Sequence, residues 1–572
     1  MPISPSPPPS RIEELGSRSF FRTRARFEVA TRFELHVRRQ VLEFLQTILM
    51  IDDEAFRRDS GPEQAADEDW TDDDTPPVGS ALNLVAPGAS AEGDELDVQA
   101  VSRSFAEAAL SCAILSPQSA EENEDFRPAF VRTAKRADAL ILDWNLNGDN
   151  GATAEKLIRA VLREDIKSPR RRLRLITVYT GEPDLRQITD RIANATSDSL
   201  GEDELKWDDD RHVAFSRGPV RVAVFAKEHV QSIPAELADR RRAISALPTV
   251  VVEEFGRHSL GLVTTASLSA LAGIRNDAHR LLAALGPEID GAVLGQRVSL
   301  AHPEDVERQV EGLIASELAA IVQDHEVGSH VGLPRVREWL KHKSGIGSRG
   351  VSTFESMTAE LRLRLLAEGF SHEAVQELQD AGIGKKKLAA EATHLFVETL
   401  EEKQRSDQIF SMRMSLRSRY AKPSPVLQLG TIVEQEGTYA VCVQPLCDSV
   451  RINGSRMFPL LPLEVVSEGD RAPSDLTVPD PQASSGYVRL RVVPKPSRIL
   501  MRDFSGGPAG TVQVRWYRKV GRFSEVKVKG RGKSWRWVGD LKTDHAQRVV
   551  ERLSSEFSRV GLEEAEVLRQ GW

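Results

Sequence analysis

The sequence predicts an α/β protein with a doubly wound, parallel, five-stranded sheet, followed by a helical region and a small β-rich carboxyl-terminal domain. Three observations support this fold class. Five short apolar segments alternate with helical segments up to about residue 247. Apolar residues then recur at three- to four-residue spacing up to about residue 420, which is typical of helices. After residue 423, strand-like segments alternate with Gly, Pro and Asp turns.

The five strand candidates are short and rich in Leu, Ile and Val. They are residues 47–51, 111–115, 139–142, 173–180 and 220–225. Strands that alternate with helices indicate parallel pairing through right-handed crossovers. A sheet of this type carries its chemistry at the carboxyl ends of its strands, and several ionisable residues follow these segments.

The predicted organisation has four parts. They are an N-terminal tail and helix (1–44), an α/β domain (45–247), a helical domain (248–420) and a β-rich domain with a final helix (421–572). Residues 57–93 are acidic and contain two consecutive prolines, so we expect a mobile loop inserted into the α/β domain. Residues 196–217 look like a smaller polar insertion.

Composition restricts the class of protein. The net charge of −9 argues against a surface that binds nucleic acid everywhere, although a local basic face remains compatible with it. The three cysteines, Cys112, Cys442 and Cys447, do not indicate a disulfide framework. No apolar run approaches the roughly 20 residues of a membrane-spanning helix, and the first ten residues do not resemble a secretory signal. We therefore expect a cytoplasmic protein without membrane contact.

Five side chains at strand ends form the main chemical pattern. Asp52 and Asp53 follow the first strand, Asp143 follows the third, Thr180 ends the fourth and Lys227 follows the fifth. Converging carboxylates favour a hard cation such as Mg²⁺, which accepts one or two carboxylates and keeps positions for water or phosphate oxygen. Carboxylate, cation and hydroxyl together indicate a phosphoryl-transfer site. The alternative is that these acids cap the following helices or lie in solvent.

Four short segments resemble the bacterial response-regulator receiver domain. They are Ile-Leu-Met-Ile-Asp-Asp-Glu (48–54), Ala-Leu-Ile-Leu-Asp-Trp-Asn-Leu-Asn-Gly (139–148), Thr-Gly (180–181) and Phe-Ala-Lys (225–227). The resemblance covers about a third of the chain. Each segment alone is weak evidence, but all of them occur in the expected order and in the expected elements.

The resemblance implies a metal site and a phosphoryl acceptor. Asp53 would bind Mg²⁺ directly with help from Asp52, and Asp143 and the backbone carbonyl of Asn145 would complete the protein's part of the metal shell. Asp143 would receive its phosphoryl group from a histidine kinase acting in trans.

The same resemblance assigns the two remaining positions. Thr180 would contact the phosphoryl group through its hydroxyl, and Lys227 would pair with it. The sequence departs from the family pattern nearby. Glu228 replaces the usual Pro, and Val224 occupies the place of an aromatic residue. Phe225 comes one residue later, on the other face of the strand. The sequence therefore does not identify the residues that would transmit a signal from the site to a partner surface.

Two further segments, residues 439–451 and 558–563, resemble large receiver proteins encoded beside kinase-like ATPases in bacterial two-component-type phage-defence operons. This resemblance implies a role in antiviral defence. The receiver-type site itself suggests a relay, phosphate sink or adaptor beside a histidine kinase, with an effector protein as a further candidate partner. We see no nuclease or hydrolase motif, so we expect no separate catalytic effector. A further possibility is that the receiver domain serves only as a protein-binding scaffold.

A basic stretch, residues 515–542, interleaves lysines and arginines with Trp516, Tyr517, Trp535 and Trp537. Cations among aromatic rings suit single-stranded nucleic acid. The interpretation we favour from the sequence is a sheet edge whose charges prevent aggregation or dock the acidic insertion. A phosphorylation-gated nucleic-acid binder is the alternative function.

Overall fold

The computed structural model describes residues 30–56, 96–117, 123–167, 170–201, 203–345, 357–421, 424–467, 473–518, 520–526 and 533–558. The chain forms two compact units, Met1–Lys167 with Arg171–Gly347, and Ser168–Arg170 with Ser348–Trp572. The region predicted as one helical domain is thus divided between them. The predicted acidic loop, 57–93, lies outside the described residues.

The first unit alternates helices with strands. Its helices are α1 (Arg32–Phe44), α2 (Val98–Glu107), α3 (Asn123–Ala134), α4 (Ala152–Asp165), α5 (Leu185–Leu200), α6 (Leu247–His258), α7 (Leu262–Ala284), α8 (Asp290–Ser299), α9 (Asp305–Asp324) and α10 (Leu333–Gly345). Its strands are β1 (Thr47–Ile51), β2 (Ala55–Phe56), β3 (Leu96–Asp97), β4 (Ser111–Leu115), β5 (Ala139–Leu142), β6 (Arg174–Thr180), β7 (Leu205–Trp207), β8 (Ala214–Arg217), β9 (Val220–Lys227) and β10 (Arg241–Arg242).

The main sheet of this unit has the order β4-β1-β5-β6-β9-β8-β7, with β10 also paired to β9. The first five strands in this order are parallel and correspond to the five predicted strands. Among the described residues, however, the sheet has eight strands, since β7, β8 and β10 join the five predicted ones, so the predicted count of five was too low. The missed hairpin β7–β8 lies in the segment predicted as a polar insertion. Its strands are short, and only scattered apolar residues such as the buried Phe215 mark them.

Alternate residues of each buried strand point to opposite sides of the sheet, so both faces carry apolar side chains. Helices cover both faces and bury these side chains. Helices α3, α4 and α5 pack on one face, against residues such as Leu142 and Val224. Helices α1, α2 and α6 pack on the other face, against residues such as Ile141 and Phe225. This doubly wound arrangement leaves the carboxyl edge of the parallel strands open for a site.

The second unit combines helices with an antiparallel sheet. Its helices are α11 (Ala359–Glu368), α12 (His372–Asp380), α13 (Lys385–Glu391), α14 (Leu400–Ser415) and α15 (Thr543–Phe557). Its strands are β11 (Thr431–Gln435), β12 (Thr438–Cys442), β13 (Ser455–Val466), β14 (Leu476–Pro479), β15 (Tyr487–Val492), β16 (Leu500–Ser505), β17 (Arg515–Tyr517), β18 (Val520–Ser524) and β19 (Ser534–Asp540).

These strands form one sheet in the order β14-β15-β13-β12-β11-β19-β18-β17, with β16 paired to β13. Apolar side chains of α15, including Val549 and Leu553, pack on one face of the sheet with Ile432 and Leu461. A second core, with Phe458 and Trp535, covers the opposite face. In the parts of the chain that the structure describes, no helix has both the length and the apolar composition needed to cross a membrane.

Candidate phosphoryl-acceptor site

The predicted site residues lie at the carboxyl edge of the parallel sheet. Asp52 follows β1, and Asp143 follows β5, which is the neighbouring strand. The amide of Asp143 donates to the carbonyl of Ile51 at 2.8 Å, so the ends of both strands are held together. Because parallel strands present the same end to one edge, acids separated by ninety-one residues in sequence become neighbours.

Three carboxylates converge at this edge. Asp52 is fully buried, Asp143 is 3 % exposed and Asp53 is partly exposed. One carboxylate oxygen from each of the three can be chosen so that all lie within 4.8 Å of one another. Like charges at this separation repel in a medium of low polarity, so the cluster needs positive charge for stability.

Lys227 supplies part of that charge. Its Nζ donates to Asp143 Oδ2 at 2.7 Å and lies 3.4 Å from Asp52 Oδ2, and its side chain is only 5 % exposed. Burial raises the pKa of Asp52 to about 7; Lys227 opposes this increase, and the neighbouring Asp143 carboxylate adds to it. The positive charge of Lys227 therefore does not fully compensate the negative charge of the three carboxylates.

The oxygen atoms of the acid pair fit a metal ion. Asp52 Oδ1 accepts the amide of Glu54 at 2.9 Å, and Asp53 Oδ2 accepts the amide of Asn147 at 2.7 Å. The other oxygens are buried: Asp53 Oδ1 accepts no hydrogen bond from the described residues, and Asp52 Oδ2 has only the 3.4 Å ion-pair contact with Lys227. A buried acceptor without a donor is costly. A hard cation that binds oxygen, such as Mg²⁺, would satisfy both.

Thr180 is the last residue of β6, and Asn145 lies in the loop after β5. Thr180 is fully buried, and its Oγ1 accepts the amide of Glu182 at 3.1 Å, so its O–H can still donate. It is paired with Ala226 in the sheet, directly before Lys227. The Asn145 amide donates to Asp143 Oδ1 at 3.3 Å, and its side chain donates to Glu182 Oε1 at 3.1 Å.

Sequence reasoning missed two residues of this site, Asn147 and Glu182. Asn147 has a φ of 57°, which turns its amide toward Asp53. The Asn-Gly pair at 147–148 could have signalled this turn, because both residue types tolerate left-handed backbone conformations. Glu182 connects the loop after β5 with the loop after β6, and no local pattern announces that contact.

The residues around Lys227 differ from the family pattern as the sequence indicated. Val224 packs on the face covered by α3, α4 and α5, and Phe225 packs on the opposite face. There the guanidinium of Arg240 lies 4.9 Å from the Phe225 ring, and the Tyr179 hydroxyl donates to the carbonyl of Arg242 at 3.0 Å. Aromatic side chains next to the site thus contact the segment that leads into α6.

Trp144, the residue after Asp143, is buried against the turn at Gly151. The guanidinium of Arg191 lies 4.7 Å from its ring. Gly151 has a φ of 84°, and a Cβ there would lie 2.1 Å from a ring carbon of Trp144. This close approach requires glycine, and it holds the loop that carries Asp143.

We expect Gly151→Ala to destabilise the protein by more than about 1 kcal/mol, since it adds a steric clash to an unfavourable backbone conformation. Gly148→Ala is the matched control, because Gly148 also has a positive φ, 68°, but its Cβ would meet nothing within 4 Å. Urea unfolding of both variants measures the difference. Equal losses of stability would show that Trp144 does not constrain this turn.

Residues 44–232 match the family model described as the response receiver domain. This part of the chain is a response-regulator receiver domain, which confirms the resemblance seen in the sequence. The match covers the five predicted parallel strands and all the site residues, and it supports a phosphoryl-accepting signalling role. No curated protein and no solved structure shows significant similarity to the chain.

Proposed function

We propose that the protein is a cytoplasmic response regulator in which Asp143 accepts a phosphoryl group from a histidine kinase acting in trans. The observation that carries this proposal is the contact of Asp143 Oδ2 with the buried Lys227 ammonium, 2.7 Å away, beside two further acids. A carboxylate that only capped a helix would not require a buried cation. No catalytic effector is proposed for the rest of the chain, whose sequence carries no hydrolase or nuclease motif.

The chemistry follows from the residues at the sheet edge. A carboxylate oxygen of Asp143 attacks the phosphorus of the donor phosphohistidine. The oxygen–phosphorus bond forms while the phosphorus–nitrogen bond breaks, and the released imidazole takes a proton from water. Lys227 stabilises the added negative charge, and the Thr180 hydroxyl donates to a phosphoryl oxygen.

The same proposal includes a Mg²⁺ site formed by Asp52, Asp53, Asp143 and the backbone carbonyl of Asn145. The buried Asp53 Oδ1, which accepts no hydrogen bond from the described residues, and the buried Asp52 Oδ2, which has only the long contact with Lys227, support it. When bound, Mg²⁺ would shield the negative charge that the carboxylates and a phosphoryl group share.

Asp53→Ala is expected to weaken Mg²⁺ binding by at least about tenfold, because removal of a direct ligand costs no less than removal of an outer-shell partner. It should also slow phosphorylation. Isothermal titration with MgCl₂ measures the affinity, and Asp190→Ala, an exposed acid on α5, is the control. An unchanged Mg²⁺ affinity in folded Asp53→Ala would contradict this site.

The proposed output is a relay, a phosphate sink or an adaptor for an effector protein. The experiment labels the full chain with acetyl phosphate and Mg²⁺, or with the kinase of a neighbouring gene, and follows the lifetime of the label. A relay passes the label to a second protein, a sink retains or hydrolyses it, and an adaptor changes its affinity for the effector. Absence of labelling by either donor would contradict the phosphoryl-accepting function and leave only the scaffold reading.

The resemblance to receiver proteins of phage-defence operons supports a role in antiviral defence. The test compares plaque formation on cells that carry the gene and its neighbours with plaque formation on cells carrying Asp143→Asn. Equal plaque numbers, where the wild-type genes do protect, would show that phosphorylation of Asp143 has no part in defence.

A further inference from the structure

Three arginines lie in register across neighbouring strands of the second unit. Arg515 on β17 is paired with Arg522 on β18, and Arg522 is paired with Arg536 on β19. Residues directly opposite each other in antiparallel strands place their side chains on the same face of the sheet. The three guanidinium groups therefore form a row.

Only one of these charges is compensated within the described part of the unit. Arg536 pairs with Glu434 at 2.9 Å and with Asp480 at 3.0 Å. Arg515 and Arg522 are exposed and form no ion pair with a described residue; Arg522 donates only to the Ser534 hydroxyl, at 3.4 Å. Like charges directly opposite each other destabilise a sheet. Stability of the fold therefore does not account for the Arg515–Arg522 pair.

Exposed aromatic rings accompany these charges. Tyr517 lies two residues after Arg515, on the same face, and is 67 % exposed. The guanidinium of Arg518 lies 5.6 Å from its ring. Trp516 is 52 % exposed on the other face, where it meets the edge of Trp537. An exposed ring beside uncompensated cations matches the stacking and phosphate contacts of a single strand.

Protection of the sheet edge explains this surface only in part. β17 is the last strand of the sheet, and a charge on it, such as that of Arg515, would discourage association with another chain. Arg522, however, lies on β18, which is paired on both sides. Exposed aromatic rings at an edge promote association rather than prevent it. The pairing of Arg515 with Arg522 and the exposed aromatic rings thus favour the binding of an anion that carries planar groups.

We propose that the face formed by Arg515, Tyr517 and Arg522 binds single-stranded nucleic acid. The two arginines contact consecutive phosphates, and a base stacks on Tyr517. The proposal does not depend on phosphorylation of Asp143.

Fluorescence anisotropy of the full chain with labelled oligo-deoxythymidine of about 20 nucleotides tests this proposal. Arg515→Ala/Arg522→Ala is expected to weaken binding at least about tenfold and to reduce the slope of log affinity against log salt by about 1.4, or about 0.7 for each phosphate that is no longer neutralised. Tyr517→Ala is expected to weaken binding about tenfold because the base can no longer stack, and Tyr517→Phe should retain it. The control, Lys206→Ala/Arg280→Ala, removes two exposed cations of the first unit and should bind as the wild type does.

Thermal unfolding provides a second readout. The double arginine variant should unfold at the same temperature as the wild type or at a higher one, because a like-charge pair is removed. No binding by the wild type at about 50 mM salt would overturn the proposal. Equal binding by the double arginine variant and the wild type would also overturn it. If the wild type did not bind and the double arginine variant aggregated, the function of the two arginines would be to protect the sheet edge. Displacement by poly-glutamate combined with no effect of Tyr517→Ala would indicate an acidic protein instead.

Discussion

Asp143→Asn is expected to abolish phosphorylation completely. Wild-type protein incubated with acetyl phosphate and Mg²⁺ should gain one phosphoryl group, which hydroxylamine removes because it is an acyl phosphate. The variant keeps the shape of the side chain but loses the nucleophilic carboxylate that Lys227 contacts at 2.7 Å. Intact-protein mass spectrometry measures the label.

Asp190→Asn is the matched control for this variant, since Asp190 is an exposed acid on α5. It should be labelled at the wild-type rate. A label that persists in folded Asp143→Asn would show that another residue is the acceptor. In that case Asp143 would have only a structural or metal-binding role.

Lys227→Met should cause the largest loss of stability, about 3 to 5 kcal/mol in the absence of Mg²⁺, because it leaves buried carboxylates without their cation. The ammonium lies 2.7 Å from Asp143 and 3.4 Å from Asp52, and methionine preserves only the aliphatic part of the side chain. Urea unfolding with and without Mg²⁺ measures the effect. Added Mg²⁺ should restore part of the stability, since it supplies positive charge to the same acids.

Lys206→Met serves as the control, because Lys206 forms only an exposed pair with Glu204, and such pairs contribute little. The double variant Lys227→Met/Asp52→Asn should recover part of the loss by removing one of the uncompensated charges. If Lys227→Met proved as stable as Lys206→Met, the buried ammonium would not compensate the acidic cluster.

The sequence by itself was sufficient to predict the parallel core of the first unit and the proximity of the acids that follow its strands. Apolar runs such as residues 47–51 and 139–142 are buried strands, and each is followed by the acids that meet at the sheet edge. This inference works because parallel strands joined by helices must present their carboxyl ends together. The strand count failed at β7, β8 and β10, because these strands are only two to four residues long and contain few or no apolar residues.

Only the tertiary structure decided which atoms meet. The amide of Asn147 reaches Asp53 through a left-handed turn, and Glu182 joins the loops after β5 and β6. The pairing of Arg515 with Arg522 depends on the register of β17 with β18. The order of residues determines the local periodicity, and this periodicity is enough to predict strands and the positions where they end. Contacts between loops and the register between strands are selected by packing over the whole unit, and no local pattern contains them.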